Sequence, residues 1–233
     1  MAINLQTLRT RSLTAAVFVV VMLTGLLWNY LSFLALFAII HFGCWYEFIK
    51  LAKKIAEKNY GVFSLLGFIY ISLPVLAMLD LGISWQLHTG GDQSAGIIYS
   101  NIIPCGIIFS IWINDTMAYL VGSWIGKTPF SKISPKKTWE GTIGGAILCI
   151  VVIALLGYYI PAAKIINTKH WIIIAAICAV FGTAGDLLES KLKRMANVKD
   201  SGSIMPGHGG FLDRFDSLLI ATPFVWLYIN LFL

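Results

Sequence analysis

Seven apolar stretches divided by short polar connections run the length of the chain, at 13–28, 31–49, 62–79, 97–122, 143–160, 171–188 and 217–233. Each is near the ~20 residues that a helix needs to cross the hydrocarbon layer of a bilayer. Lipid offers no partner for an open backbone, so each stretch is expected to be helical. The pattern predicts an all-α polytopic membrane bundle of about seven transmembrane helices with a cytoplasmic N-terminus. Arg9 and Arg11 precede the first stretch, which lacks the short apolar region and A-x-A-like site of a cleaved signal. That segment is therefore read as a mature span.

Composition strengthens this picture. The chain is 58% hydrophobic and 12% charged, against ~25% charge in soluble domains. With the N-terminus inside and the sides alternating, every one of the 17 lysines and arginines except Lys164 and Lys169 falls on the inner side. The positive-inside rule predicts that asymmetry. The net charge of +6 is thus topological, and nucleic acid is not needed to explain it. Cys44, Cys105, Cys149 and Cys178 all lie in apolar runs without metal or CxxC spacing, and read as small buried hydrophobes. The outer connection 80–96 is polar and free of Lys and Arg, a passive link. The inner loops 127–142 and 189–216 are dense in Lys, Asp, Gly, Ser and Pro. Chemistry is expected there, with residues 1–110 as a lipid-side scaffold and 111–233 as the catalytic membrane domain.

Four clusters carry the candidate chemistry. Asp186 closes an apolar run, and spacings of three, four and seven place Glu189, Ser190 and Lys193 on its helical face, with Arg194 beside them. A carboxylate at the edge of hydrocarbon needs a partner, either a metal or a lysine cap. Asp213 and Asp216 share a face just before the last span; they suit a metal or simply a helix dipole. Hard oxygen ligands of this kind select Mg2+, commonly shared with phosphates. Between these pairs runs Lys199 to Gly210, with Gly207, His208, Gly209 and Gly210 as a turn that reads as a phosphate cradle or a flexible connector. Ser134 to Gly141 holds Lys136 and Lys137, either a basic interfacial anchor or a polyphosphate contact. Finally, Asp115 lies inside a span and is a functional candidate by default, while Ala118, Gly122, Gly126, Gly141 and Gly145 suit close helix packing.

The stretch Ser190-Lys191-Leu192-Lys193-Arg194, Lys199-Asp200 and Pro206-Gly207-His208-Gly209-Gly210-Phe211-Leu212-Asp213-Arg214-Phe215-Asp216 resembles the signature of the phosphatidate cytidylyltransferases, also called CDP-diacylglycerol synthases. Asp115 with Ala118-Tyr119 and Gly122, the Ser134–Gly141 segment and Gly185-Asp186-Leu187 are similar to further family segments. The likeness covers about 110–233. It implies an integral-membrane, magnesium-dependent nucleotidyltransferase that turns CTP (or dCTP) and phosphatidic acid into CDP-diacylglycerol and pyrophosphate. The metal-binding aspartates of the family map onto Asp186 and Asp213. Met205 stands where another aliphatic residue is more usual, and the N-terminal half is shorter than in most members. The resemblance leaves room for a second, monovalent cation and for a homodimer.

On this reading Asp186, Asp213, Lys193, Arg194 and His208 carry catalysis. Substrate contacts fall to Lys136, Lys137, Ser190, Lys199, Asp200, Gly207, Gly209, Gly210, Arg214 and Asp115. Asp186 and Asp213 hold Mg2+, supported by Asp216 and Glu189. The phosphatidate oxygen is already anionic, so the task is to bring two anions together and neutralise the departing pyrophosphate. The expected setting is the inner, cytoplasmic membrane. An ion or solute transporter would place its binding groups near the midplane, often with inverted repeats. These carboxylates crowd one face instead, and no repeat is visible. A lipid-alcohol kinase or phosphotransferase is the other alternative, but the Asp-Gly-x-x-Ala-Arg motif of the CDP-alcohol enzymes is missing.

Overall fold

The computed structural model describes residues 5–83, 99–204 and 209–233, with side chains from Ser12 onward. The expected outer connection at 80–96 falls mostly outside the described residues, as do Met205, Pro206, Gly207 and His208. Among the described residues the secondary structure is helical, apart from one isolated bridge between Pro129 and Thr138. The helices are α1 (Leu5–Leu27), α2 (Tyr30–Ala56), α3 (Tyr60–Gly67), α4 (Leu73–Ile83), α5 (Ile102–Ile125), α6 (Trp139–Tyr159), α7 (Thr168–Met195) and α8 (Leu212–Phe232). Among the described residues five stretches are long and apolar enough to cross a membrane: Tyr30–Ile83, Ile102–Ile125, Trp139–Tyr159, Thr168–Met195 and Leu212–Phe232. This is an all-α, polytopic membrane protein.

Local chemistry explains the boundaries. Asn29 caps α2 by accepting from the Ser32 amide at 2.9 Å, while Ser32 returns a bond to the Asn29 amide. Glu57 then takes a left-handed φ of 36°. The chain reverses there, and α3 and α4 run back along α2. The ring of Phe63 stacks on Phe48, Phe68 meets Trp45 edge-on, and His41 reaches Ser72 at 3.0 Å. Tyr30–Ile83 is therefore a hairpin whose arms contain the expected spans 31–49 and 62–79. Thr138 caps α6 at 3.1 Å from the Gly141 amide, so that helix begins ahead of the expected 143.

Packing follows the rules of a lipid solvent. Rings and aliphatic chains such as Phe42, Ile69, Trp124, Ile147, Val180 and Phe232 face outward. Lipid tails are as apolar as leucine, so helix association depends on close fit rather than water exclusion. The small residues provide that fit. A methyl added at Gly141 would lie 2.7 Å from the Ala118 carbonyl oxygen, and one at Gly145 2.6 Å from the Ala118 nitrogen. Packing is thus the role of the four-residue spacing across α5 and α6. Gly185 does the same for α7 and α8, where a methyl would overlap the Asp216 carbonyl oxygen. That contact brings the carboxylate-bearing ends of α7 and α8 together.

Candidate active site

The C-terminal ends of α5 and α7 and the N-terminal ends of α6 and α8 meet at one end of the bundle. Helix α7 continues to Met195, well past its apolar run, so Asp186, Glu189, Ser190 and Lys193 all project from regular helix. Helix α8 begins at Leu212, which places Asp213 in its first turn and Asp216 one turn further in. One carboxylate oxygen from each of Asp186, Glu189 and Asp216 falls within 4.8 Å of the others. Glu189 is fully buried and Asp216 nearly so.

Two lysines supply the counter-charge. Lys137 pairs with Asp186, and Lys193 stands 2.5 Å from Glu189 and 2.6 Å from Asp213. Burying carboxylates without such partners would cost several kcal/mol each, so the lysines are what permits the cluster in this state. Ser190 donates weakly to Asp186 at 3.4 Å. Even so, Glu189 Oε1 is buried with no hydrogen-bond partner among the described residues. A buried carboxylate with an unpartnered oxygen, grouped with two more carboxylates, is a donor set fitted to a hard divalent cation.

Asp213 makes a different set of contacts from Asp186 and Asp216. Its Oδ2 accepts from the Ser201 amide at 2.9 Å, the Ser201 hydroxyl at 3.0 Å and the Gly210 amide at 2.8 Å, while Oδ1 faces Lys193. Its neighbours are thus loop donors, Lys193 and the Glu189 carboxylate, while the three carboxylates that lie within 4.8 Å of one another are Asp186, Glu189 and Asp216. Of the Gly-rich turn, Gly209 and Gly210 are described. The Gly210 amide is given to Asp213 rather than left open to an anion, and Gly209 adopts φ 81° with no room for a methyl beside the Asp213 carboxylate. Arg194 donates to the Val198 carbonyl at 3.3 Å across the turn after α7. Lys199, Asp200 and Arg214 are exposed at the same end. Gly207 and His208 lie outside the described residues.

Beside the carboxylates a cleft of about 410 Å³ is lined by Asp115, Tyr119, Lys136, Lys137, Thr183 and Asp186 among others. The segment that carries the two lysines is held as a tight turn. Glu140 accepts from the Thr128 hydroxyl at 2.8 Å and from the Lys127 and Thr128 amides, and Phe130 donates to the Lys137 carbonyl at 2.8 Å. Lys136 is exposed at the tip and Lys137 half-buried. Asp115 opens to the cleft, with Asn114 3.5 Å from its carboxylate. The cleft thus has cations on one wall, carboxylates on another and a lipid-facing helix on a third.

The profile of the cytidylyltransferase family matches residues 99–232. The phosphatidate cytidylyltransferase of Staphylococcus aureus (strain COL) is 36% identical over 194 residues, 78% of this chain and 70% of that protein. This chain belongs to the cytidylyltransferase family. The phosphatidate cytidylyltransferase of Bacillus subtilis (strain 168) is 36% identical over 202 residues, 85% and 68% of the two chains. Phosphatidate cytidylyltransferase 5, chloroplastic, of Arabidopsis thaliana is 40% identical over 164 residues, 69% of this chain but 39% of that longer protein. Alignments of 194 and 202 residues exceed the stretch 110–233, so the likeness extends into the N-terminal half.

That half of this family member reaches the site through a residue the sequence reading passed over. Glu47 on α2 is 1% exposed and accepts from the Ser201 hydroxyl at 2.7 Å, the Phe211 amide at 3.0 Å and the Leu212 amide at 2.9 Å. The signal was available: an acidic residue amid the apolar run His41–Ile49, the same feature that singled out Asp115.

Proposed function

We propose that this protein transfers the cytidylyl group of CTP to phosphatidic acid, giving CDP-diacylglycerol and pyrophosphate. The observation that carries the reading is the convergence of buried Asp186, Glu189 and Asp216 beside a lysine-walled cleft, in a chain of the cytidylyltransferase family. Mg2+ held by Asp186, Glu189 and Asp216 would supply charge neutralisation to the phosphates of the nucleotide. Glu189, with its unpartnered Oε1, and half-buried Asp186, which opens to the cleft, offer the acceptors.

The chain's own groups do the rest. Lys136 and Lys137 draw the nucleotide's polyphosphate or the lipid phosphate into the cleft, and Lys137 exchanges its contact with Asp186 for a phosphate. Lys193 holds Glu189 and Asp213 in fixed relation, so the carboxylates need not rearrange as charge moves. An oxygen of the phosphatidate phosphate attacks the α-phosphorus of CTP. The bond from that phosphorus to the bridging oxygen breaks, and pyrophosphate leaves with the electron pair. Position at the membrane edge lets the lipid headgroup rise to the cleft while its acyl chains stay among the outward-facing rings of α5 and α6. The membrane in this reading is the cytoplasmic one, with loops 127–142 and 189–216 facing the CTP pool.

The test is direct. Purified protein in mixed micelles with phosphatidate, CTP and Mg2+ should release pyrophosphate and form CDP-diacylglycerol in equal amounts. Pyrophosphate without lipid product, or neither, would refute the reading.

A further inference from the structure

We propose that Glu47 is a positioning residue that fastens Ser201, Phe211 and Leu212 to α2 and so sets the placement of Asp213 and Lys193 in the reaction; the proposal rests on the cytidylyl-transfer reading. The geometry is that of a clamp. Glu47 Oε1 takes the Phe211 amide and Oε2 takes the Leu212 amide and the Ser201 hydroxyl. A serine hydroxyl has one proton, and the shorter contact, 2.7 Å to Glu47 against 3.0 Å to Asp213, assigns it to Glu47. Asp213 is then held by the Ser201 and Gly210 amides and by Lys193. Glu47 thus fixes Ser201 and the residues that follow Gly210, the two points that grip Asp213.

The loop is moulded to this carboxylate. A methyl on Gly202 would overlap Glu47 Oε1, and one on Gly210 would overlap both oxygens. One turn earlier on the same face of α2, Gly43 makes room for the Phe211 ring, which a methyl there would meet at 2.5 Å. These glycines are explained by the clamp, with no ligand needed.

Glutamine cannot replace this residue. Each carboxylate oxygen accepts a backbone amide, so whichever way the new side-chain amide turned, its NH2 would face an N–H donor. The experiment compares Glu47→Gln, Ser201→Ala and the double variant with wild type, all purified in the same detergent. Kinetics with CTP and phosphatidate are read alongside the melting temperature and tryptic cleavage after the exposed Lys199. A displacement of ~1 Å at a reacting group can cost ~10²-fold. Glu47→Gln is therefore expected to lower kcat about 100-fold with KM for CTP within about threefold. Ser201→Ala should cost less, and adding it to Glu47→Gln should cost almost nothing more, because both act through one contact. Faster cleavage after Lys199 in a variant that still melts cooperatively should accompany the loss. The proposal is overturned by a kcat within about threefold of wild type, by fully additive losses, or by a kcat per folded molecule that is unchanged. Should wild type itself not turn over these substrates, the functional reading falls. The clamp is then judged by proteolysis: accelerated cleavage in Glu47→Gln supports it, and unchanged cleavage refutes it.

Discussion

At the scale of single residues, the site is organised around Lys193. It is 14% exposed and touches two carboxylates, one of them fully buried. Removing one partner of a buried pair leaves uncompensated charge and costs about 3–5 kcal/mol. Lys193→Met should accordingly lower stability by about that amount and abolish turnover, read by thermal unfolding and product formation. Adding Glu189→Gln should return part of the stability, since one of the stranded charges is gone, but not the activity. Asp216 and Asp213 should differ in kind. Asp216→Asn is expected to raise the Mg2+ concentration for half-maximal activity by about tenfold or more. Asp213→Asn should lower kcat sharply while the Mg2+ requirement moves far less, because Asp213 faces loop amides and Lys193. A Mg2+ titration of each variant reads the contrast; equal shifts would place Asp213 among the ligands after all.

At the scale of elements, the approach of α5 to α6 and of α7 to α8 aligns the cleft with the carboxylates, and glycine makes both approaches. Gly185→Val should be the most damaging of these changes. Overpacking costs about 1–3 kcal/mol, and here it also drives Asp186 away from Asp216. Loss of activity at a melting temperature only slightly reduced is the expected pattern, and full activity would exclude the close approach as a requirement. The helices themselves were readable from the chain. Apolar runs marked every long one, and spacing alone put Asp186, Glu189 and Lys193 on one face. What spacing did not reveal was the partner of each loop amide. Glu47 and Ser201 are 154 positions apart, so their bond has no local trace, and spacing likewise gave no sign that Gly202 and Gly210 adjoin the Glu47 carboxylate. Nor did spacing reveal the contact of the Arg194 guanidinium with the Val198 carbonyl.

At the scale of the whole molecule, basic side chains and an acidic cluster share one end of a bundle whose flanks face lipid. That polarity suits the proposed reaction between a soluble anion and a lipid anion, in which the cations would gather the two and the buried carboxylates would hold the metal that lets them meet. Chelation by EDTA should abolish CDP-diacylglycerol formation reversibly, with Mg2+ restoring it. The most direct test follows a metal that can be seen. Mn2+ takes the same oxygen ligands as Mg2+, so its binding to the purified protein with CTP present can be titrated by electron paramagnetic resonance. The account predicts a bound Mn2+ in wild type and at least about tenfold weaker binding in Asp186→Asn. Equal binding in the two proteins would contradict it.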